Sequence, residues 1–127
     1  MRNNIFSWLL LLLLLYVYPV SSQNSGPYII LTTINDTTDA YYQAVQTLSD
    51  YRNAQVITFD AGNVDALLPV LCNIEPRYVA VILKPLELHI NLVRQFLMMS
   101  TNLDADPFSD FSYGFITVRV LSELAGY

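Results

Sequence analysis

Tyr78-Val79-Ala80-Val81-Ile82-Leu83 is a run of six residues with no polar interruption among the aliphatics, closed by Lys84-Pro85. A strand with one wet face alternates apolar and polar residues. One that is apolar throughout is covered on both faces, as in a parallel sheet sandwiched between helices. Outward from this run the chain repeats the same theme. Residues 28–33 (Tyr-Ile-Ile-Leu-Thr-Thr) and 54–59 (Ala-Gln-Val-Ile-Thr-Phe) read as two earlier strands, and residues 111–120 as a fourth.

The three gaps between these strands carry helical spacing. Ala40, Tyr41, Ala44, Val45, Leu48 and Tyr51 form one apolar stripe, introduced by the turn-forming residues 35–39. Asn63 stands where a cap belongs for a shorter helix with Val64, Leu67, Leu68 and Leu71, and Pro69 either opens that helix near Leu68 or kinks it. Residues 86–100 give the longest pattern, with Leu86, Ile90, Val93, Phe96 and Leu97 expected inward. The β-α-β-α-β-α-β alternation predicts an α/β fold: a mostly parallel four-stranded sheet in three layers, helices on both faces, joined by right-handed crossovers. Residues 28–120 would form the domain and 121–127 a tail.

Residues 1–22 stand apart from this domain. Arg2 precedes a continuous apolar run through Leu9–Leu15 to Tyr18, and Pro19 ends it before the small residues of Val20-Ser21-Ser22. The run is shorter than the roughly 18–20 residues that cross a bilayer core, so it reads as a signal peptide cleaved near Ser22. Secretion follows, with no stable membrane span after cleavage. Residues 23–27 read as a flexible arm. In a secreted chain, Asn35-Asp36-Thr37 is an N-glycosylation sequon, placing Asn35 at the surface.

Of the 127 residues, 54% are hydrophobic and 13% charged, with a net charge of -5. That balance excludes a disordered acidic tail, since the chain can bury enough apolar surface to order itself. It also argues against nucleic acid as a partner, because phosphate contacts require clustered Lys and Arg. A single cysteine excludes an internal disulfide and Cys-rich zinc sites. Gly26, Gly62, Gly114 and Gly126 fit neither a dinucleotide fingerprint nor a P-loop, so no cofactor is expected.

Cys72 and His89 are the sole thiol and imidazole. Their places in the pattern put them at opposite edges of the sheet, roughly 15 Å or more apart, so no catalytic residue is assigned and Cys72 is expected to be a small buried hydrophobe. Asp104, Asp106 and Asp110 crowd one loop, but the glycine and distal glutamate of a calcium loop are absent, and a solvated turn is expected rather than a metal site. Asp36, Asp39 and Asp60 follow the first two strands. In open α/β sheets ligands bind outside the strand C-termini, which makes Asp36 and Asp60 the residues of an alternative, flavodoxin-like reading as a small-ligand-binding domain.

Residues 78–85 together with Leu103-Asp104-Ala105-Asp106-Pro107-Phe108 and Gly114-Phe115-Ile116-Thr117 resemble the N-terminal segment of secreted gingipain-like cysteine peptidases, enzymes of the caspase fold. The resemblance spans residues 28–117 and is strongest over 78–117. It implies a partial caspase-like sheet, with Val118 where that family carries glycine and with the family's catalytic His and Cys on later strands. The expectation is a secreted, non-catalytic domain that stops before those residues, and whose exposed sheet edge invites a protein partner or self-association.

Overall fold

The computed structural model describes residues 27–117. The expected leader, the arm up to residue 26, the far end of the fourth strand and the tail lie outside the described residues. Within them the order is β1 (Tyr28–Thr32), α1 (Tyr42–Arg52), β2 (Gln55–Thr58), a 3-10 turn (Val64–Leu67) running into α2 (Leu68–Ile74), β3 (Tyr78–Leu83), a second 3-10 turn (Pro85–Glu87), α3 (Ile90–Met99) and β4 (Ser112–Thr117).

All strand pairs are parallel, and the sheet order is β2-β1-β3-β4. Because successive side chains on a strand point to opposite faces, the two apolar central strands, β1 and β3, feed two cores. Ile29 and Leu31 of β1 and Val79, Val81 and Leu83 of β3 pack under α2 and α3, against Leu71, Leu92, Phe96 and Met99. Ile30, Ala80 and Ile82 point the other way, under α1, against Tyr41 and Val45. The molecule is thus the three-layer α/β sandwich that the strand pattern predicts.

Local chemistry sets the helix ends. Pro69 sits in the first turn of α2, where its missing N–H costs nothing. The chain leaves α1 and α2 through left-handed residues, Asn53 (φ 50°) and Glu75 (φ 51°). Asn visits that region readily, whereas Glu75 is held there against its preference. His89 caps α3: its Nδ1 accepts from the Leu92 N–H at 3.2 Å.

Three expectations need correcting. The long third helix is interrupted: the Pro85–Glu87 turn is followed by extended backbone at Leu88 and His89 before α3 begins. That interruption resets the phase, so Leu86 (98% exposed), Ile90 (63%) and Leu97 (56%) face outward while Leu92, Phe96 and Met99 are buried. Tyr51, at the end of the α1 stripe, is also exposed. Cys72 is exposed rather than buried, because Leu71 takes the inward position on α2. Among the described residues no helix is long and apolar enough to cross a membrane.

Candidate functional site

In a sheet of order β2-β1-β3-β4, the chain leaves β1 towards one face and β3 towards the other. A crevice opens between their C-terminal ends, the usual ligand position in such sheets. Here the crevice is bridged twice. The Thr33 hydroxyl after β1 donates to Glu87 Oε2 at 2.7 Å, and the same oxygen accepts the Lys84 N–H at 3.0 Å. Lys84 Nζ in turn pairs with Asp39 and lies 5.5 Å from the centre of the Tyr41 ring.

The electrostatics follow from these contacts. Asp39 is held below the usual carboxylate range, first by the Lys84 ammonium and then by the Tyr41 N–H. Lys84 is raised by the same partner, Asp39. Asp36 is also lowered, by the Thr38 hydroxyl at 2.7 Å and the Thr38 N–H at 2.8 Å, both donating to its Oδ1. Each ionic group already has a partner of complementary charge or a donor. What the cluster can do chemically is lock the β1 and β3 loops together.

Asp60, the other residue of the alternative reading, accepts the Gly62 N–H at 2.8 Å in the turn after β2. Asp36 and Asp60 therefore lie at the same edge of the sheet, but each serves its own turn. Asn35 is exposed in the loop between β1 and α1. Sequence reasoning missed Lys84, Glu87 and Thr33. The spacing of Lys84 and Glu87 is that of a capping box, but lysine in place of Ser, Thr, Asp or Asn disguises it.

The opposite edge holds a second group of polar side chains. Oxygens of Asp104, Asp106 and Asp110 lie within 4.8 Å of one another, the one group among the described residues with metal-ligating chemistry. Each carboxylate is already engaged in the loop: Asp104 accepts from the Asp106 N–H, Asp106 from the Phe108 N–H, and Asp110 from the Leu103 N–H. A cleft of about 300 Å³ beside them is lined by Cys72, Glu75, Pro76, Leu103, Asp104 and Asp110. The Cys72 thiol points at the Leu103 carbonyl, 3.8 Å away.

Cys72 thus belongs to the edge where β3 begins, and His89 to the edge where β3 ends. A six-residue strand at about 3.3 Å per residue keeps those edges roughly 17 Å apart, against the roughly 3 Å of a nucleophile and its base. The imidazole Nδ1 is moreover occupied by its capping bond.

The last feature is β4. Ser112 donates its N–H to the Arg77 carbonyl, so Ser112, Gly114 and Ile116 turn their backbone groups towards β3. Alternation then turns those of Tyr113, Phe115 and Thr117 outward. Among the described residues no strand lies on that side. In the comparisons with known proteins, no family model, no curated protein and no solved structure matches this chain.

Proposed function

We propose that the chain works as a secreted, non-catalytic α/β interaction domain, similar in kind to the front part of a gingipain-like cysteine peptidase. The observation that carries this reading is the β4 edge: six residues without a charge or a proline, offering three outward N–H and C=O pairs. Edge strands are normally blunted by charges, prolines or bulges, and this one has none of these. The separation of Cys72 from His89 supports the non-catalytic part, and the leader sequence with exposed Asn35 supports the secreted part.

The test is amide hydrogen exchange on the purified chain. The Tyr113, Phe115 and Thr117 amides exchange quickly while the edge is vacant and slow when a partner strand is added. Thiol-dependent hydrolysis of a peptide library, lost on Cys72→Ala, is the result that sinks the non-catalytic reading.

The strand order favours one second reading, a small-ligand domain at the β1/β3 crevice. For that reading, a ligand at 100 times its dissociation constant raises stability by about 2.7 kcal/mol in a thermal-shift screen, and Lys84→Met abolishes the response.

A further inference from the structure

Resting on the reading as an interaction domain, though not on the β4 edge, we infer that the start of the sheet binds an acidic peptide segment of a partner protein. The surface is a row of rings and cations: Tyr51, Arg52, Tyr28, Tyr78 and Arg77.

The fold gathers these five residues from three stretches of chain. Tyr28 opens β1 and Tyr78 opens β3, and the parallel register sets them directly opposite each other. Their ring centres lie 6.2 Å apart. α1 ends at Arg52, where left-handed Asn53 turns the chain back to the start of β2. That turn lays the Arg52 guanidinium over two rings, 5.5 Å from the centre of Tyr28 and 5.2 Å from that of Tyr51. Arg77 directly precedes β3, and its guanidinium lies 5.5 Å from the centre of the Tyr78 ring.

Both arginines are exposed, and among the described residues neither makes an ion pair or a side-chain hydrogen bond. A guanidinium stacked on a ring keeps its in-plane N–H fork free to meet a carboxylate with two bonds. The ring also limits the orientations the cation samples, so less entropy is lost when the anion arrives. Tyrosine and arginine are the side chains that most often carry binding energy at protein interfaces. Arg94, also exposed, has no such ring beside it among the described residues.

The pattern selects the kind of anion. Two single cations stand apart with two uncharged rings between them, joined by steps of 5.5, 6.2 and 5.5 Å. An extended peptide advances about 3.3 Å per residue. Two acidic side chains four residues apart, with apolar residues between, therefore reach both cations and lay their apolar part on the rings. A dense polyanion fits worse. The chain carries a net charge of -5, and Asp110 shares with Arg77 the lining of a shallow depression of about 450 Å³. Asp104 and Asp106 stand beside Asp110. A sulfated glycan or a nucleic acid lays continuous negative charge against that acidic border, whereas a peptide with two spaced carboxylates avoids it.

The experiment is fluorescence anisotropy on the full chain, expressed with its own leader and recovered in the form the cell leaves it. The probe is a labelled, end-capped Glu-Ala-Leu-Ala-Glu peptide, with its Gln-Ala-Leu-Ala-Gln counterpart and a heparin tetrasaccharide as comparisons. The glutamate peptide is expected to bind about ten-fold or more tightly than the glutamine one, with the gap widening at low salt. Arg52→Gln and Arg77→Gln are each expected to weaken it about ten-fold while far-UV circular dichroism stays unchanged. Arg94→Gln removes the same charge from α3 and is expected to change binding less than about two-fold.

Equal binding of the two peptides, or equal effects of the three substitutions, overturns the inference. Tighter binding of the heparin fragment with the same arginine dependence also overturns it, by moving the surface to glycans. Hydrogen exchange on the same samples keeps the two readings apart. No binding of the glutamate peptide, with fast-exchanging Tyr113, Phe115 and Thr117 amides, sinks the inference and leaves the open-edge reading standing. Slow exchange at those amides in the chain alone sinks the open-edge reading, whatever the peptide does.

Discussion

The two faces of the sheet are built from the same strands but closed to different degrees. Under α2 and α3, β4 takes part in the core: Tyr113 and Phe115 pack on Phe96, with ring centres 6.4 and 5.4 Å apart, and Phe59 meets the same ring edge-on at 5.7 Å. Under α1 the packing reaches β3 through Ala80 and Ile82 but not β4, whose Ser112, Gly114 and Ile116 are exposed. One crossover helix covers one face and two cover the other. Among the described residues the β4 end of the α1 face is therefore bare for a topological reason. With order β2-β1-β3-β4, only the β1–β2 crossover runs in the direction that delivers a helix to that side.

The contrast predicts unequal costs for emptying each core. Phe96→Ala removes the ring on which Phe59, Tyr113 and Phe115 converge, at a fully buried position. It is expected to cost about 3–5 kcal/mol in urea unfolding, a large share of the roughly 5–15 kcal/mol that holds a domain together. Val45→Ala, at the centre of the α1 core, removes less volume and is expected to cost about 2 kcal/mol. Equal costs at the two sites would show that the faces are closed alike.

The sequence carried the architecture because the two central strands, β1 and β3, are apolar on both faces, and that property depends on burial alone. Tyr78 to Leu83 is the strand read from its pattern, residue for residue. The phase of α3 was not legible for the opposite reason. Leu86, Ile90, Val93 and Leu97 make one apolar stripe, and Leu92, Phe96 and Met99 make another; only the restart at His89 chooses between them. Cys72 was misplaced because a short helix with Leu67, Leu68 and Leu71 has more apolar residues than inward positions. At the β1/β3 crevice, Asp36 and Asp39 were visible as turn residues. The Lys84 and Glu87 contacts join positions 45 and 54 residues apart to Asp39 and Thr33, and no local pattern reports such pairs.

A smaller effect sharpens the account of the bare region. Gly114 has no positive φ, and a side chain there meets open space. Gly114→Ala is therefore expected to stabilise the chain by about 0.4–1 kcal/mol, chiefly by restricting the unfolded chain, whereas a covered face would answer with a clash. Thermal melts of the two proteins at matched concentration read the sign directly. A loss of stability would mean that the α1 face is closed over β4 after all.

The smallest effect concerns the crevice that joins the two faces, and it is read through pH. Asp39 binds its proton less tightly in the folded chain than in the unfolded one. Its contribution is therefore complete above the ordinary value of 3.8 and is lost as pH falls through the lower folded value. Lys84 is shifted upward. Its contribution is complete below the ordinary 10.5 and is lost as pH climbs through the higher folded value. The ion pair thus supports the fold between those limits and at neither extreme. Lys84→Met is expected to lower Tm slightly near neutrality, with the curves of variant and parent converging in acid and in strong base. Asp36 titrates in the same direction as Asp39, but through the Thr38 hydroxyl and N–H. The variant should therefore keep part of the acid limb and lose the alkaline limb that Lys84 supplies. A constant Tm difference across the whole range would show that the Lys84 stem over Tyr41, and not its charge, ties the β3 loop to the β1 loop.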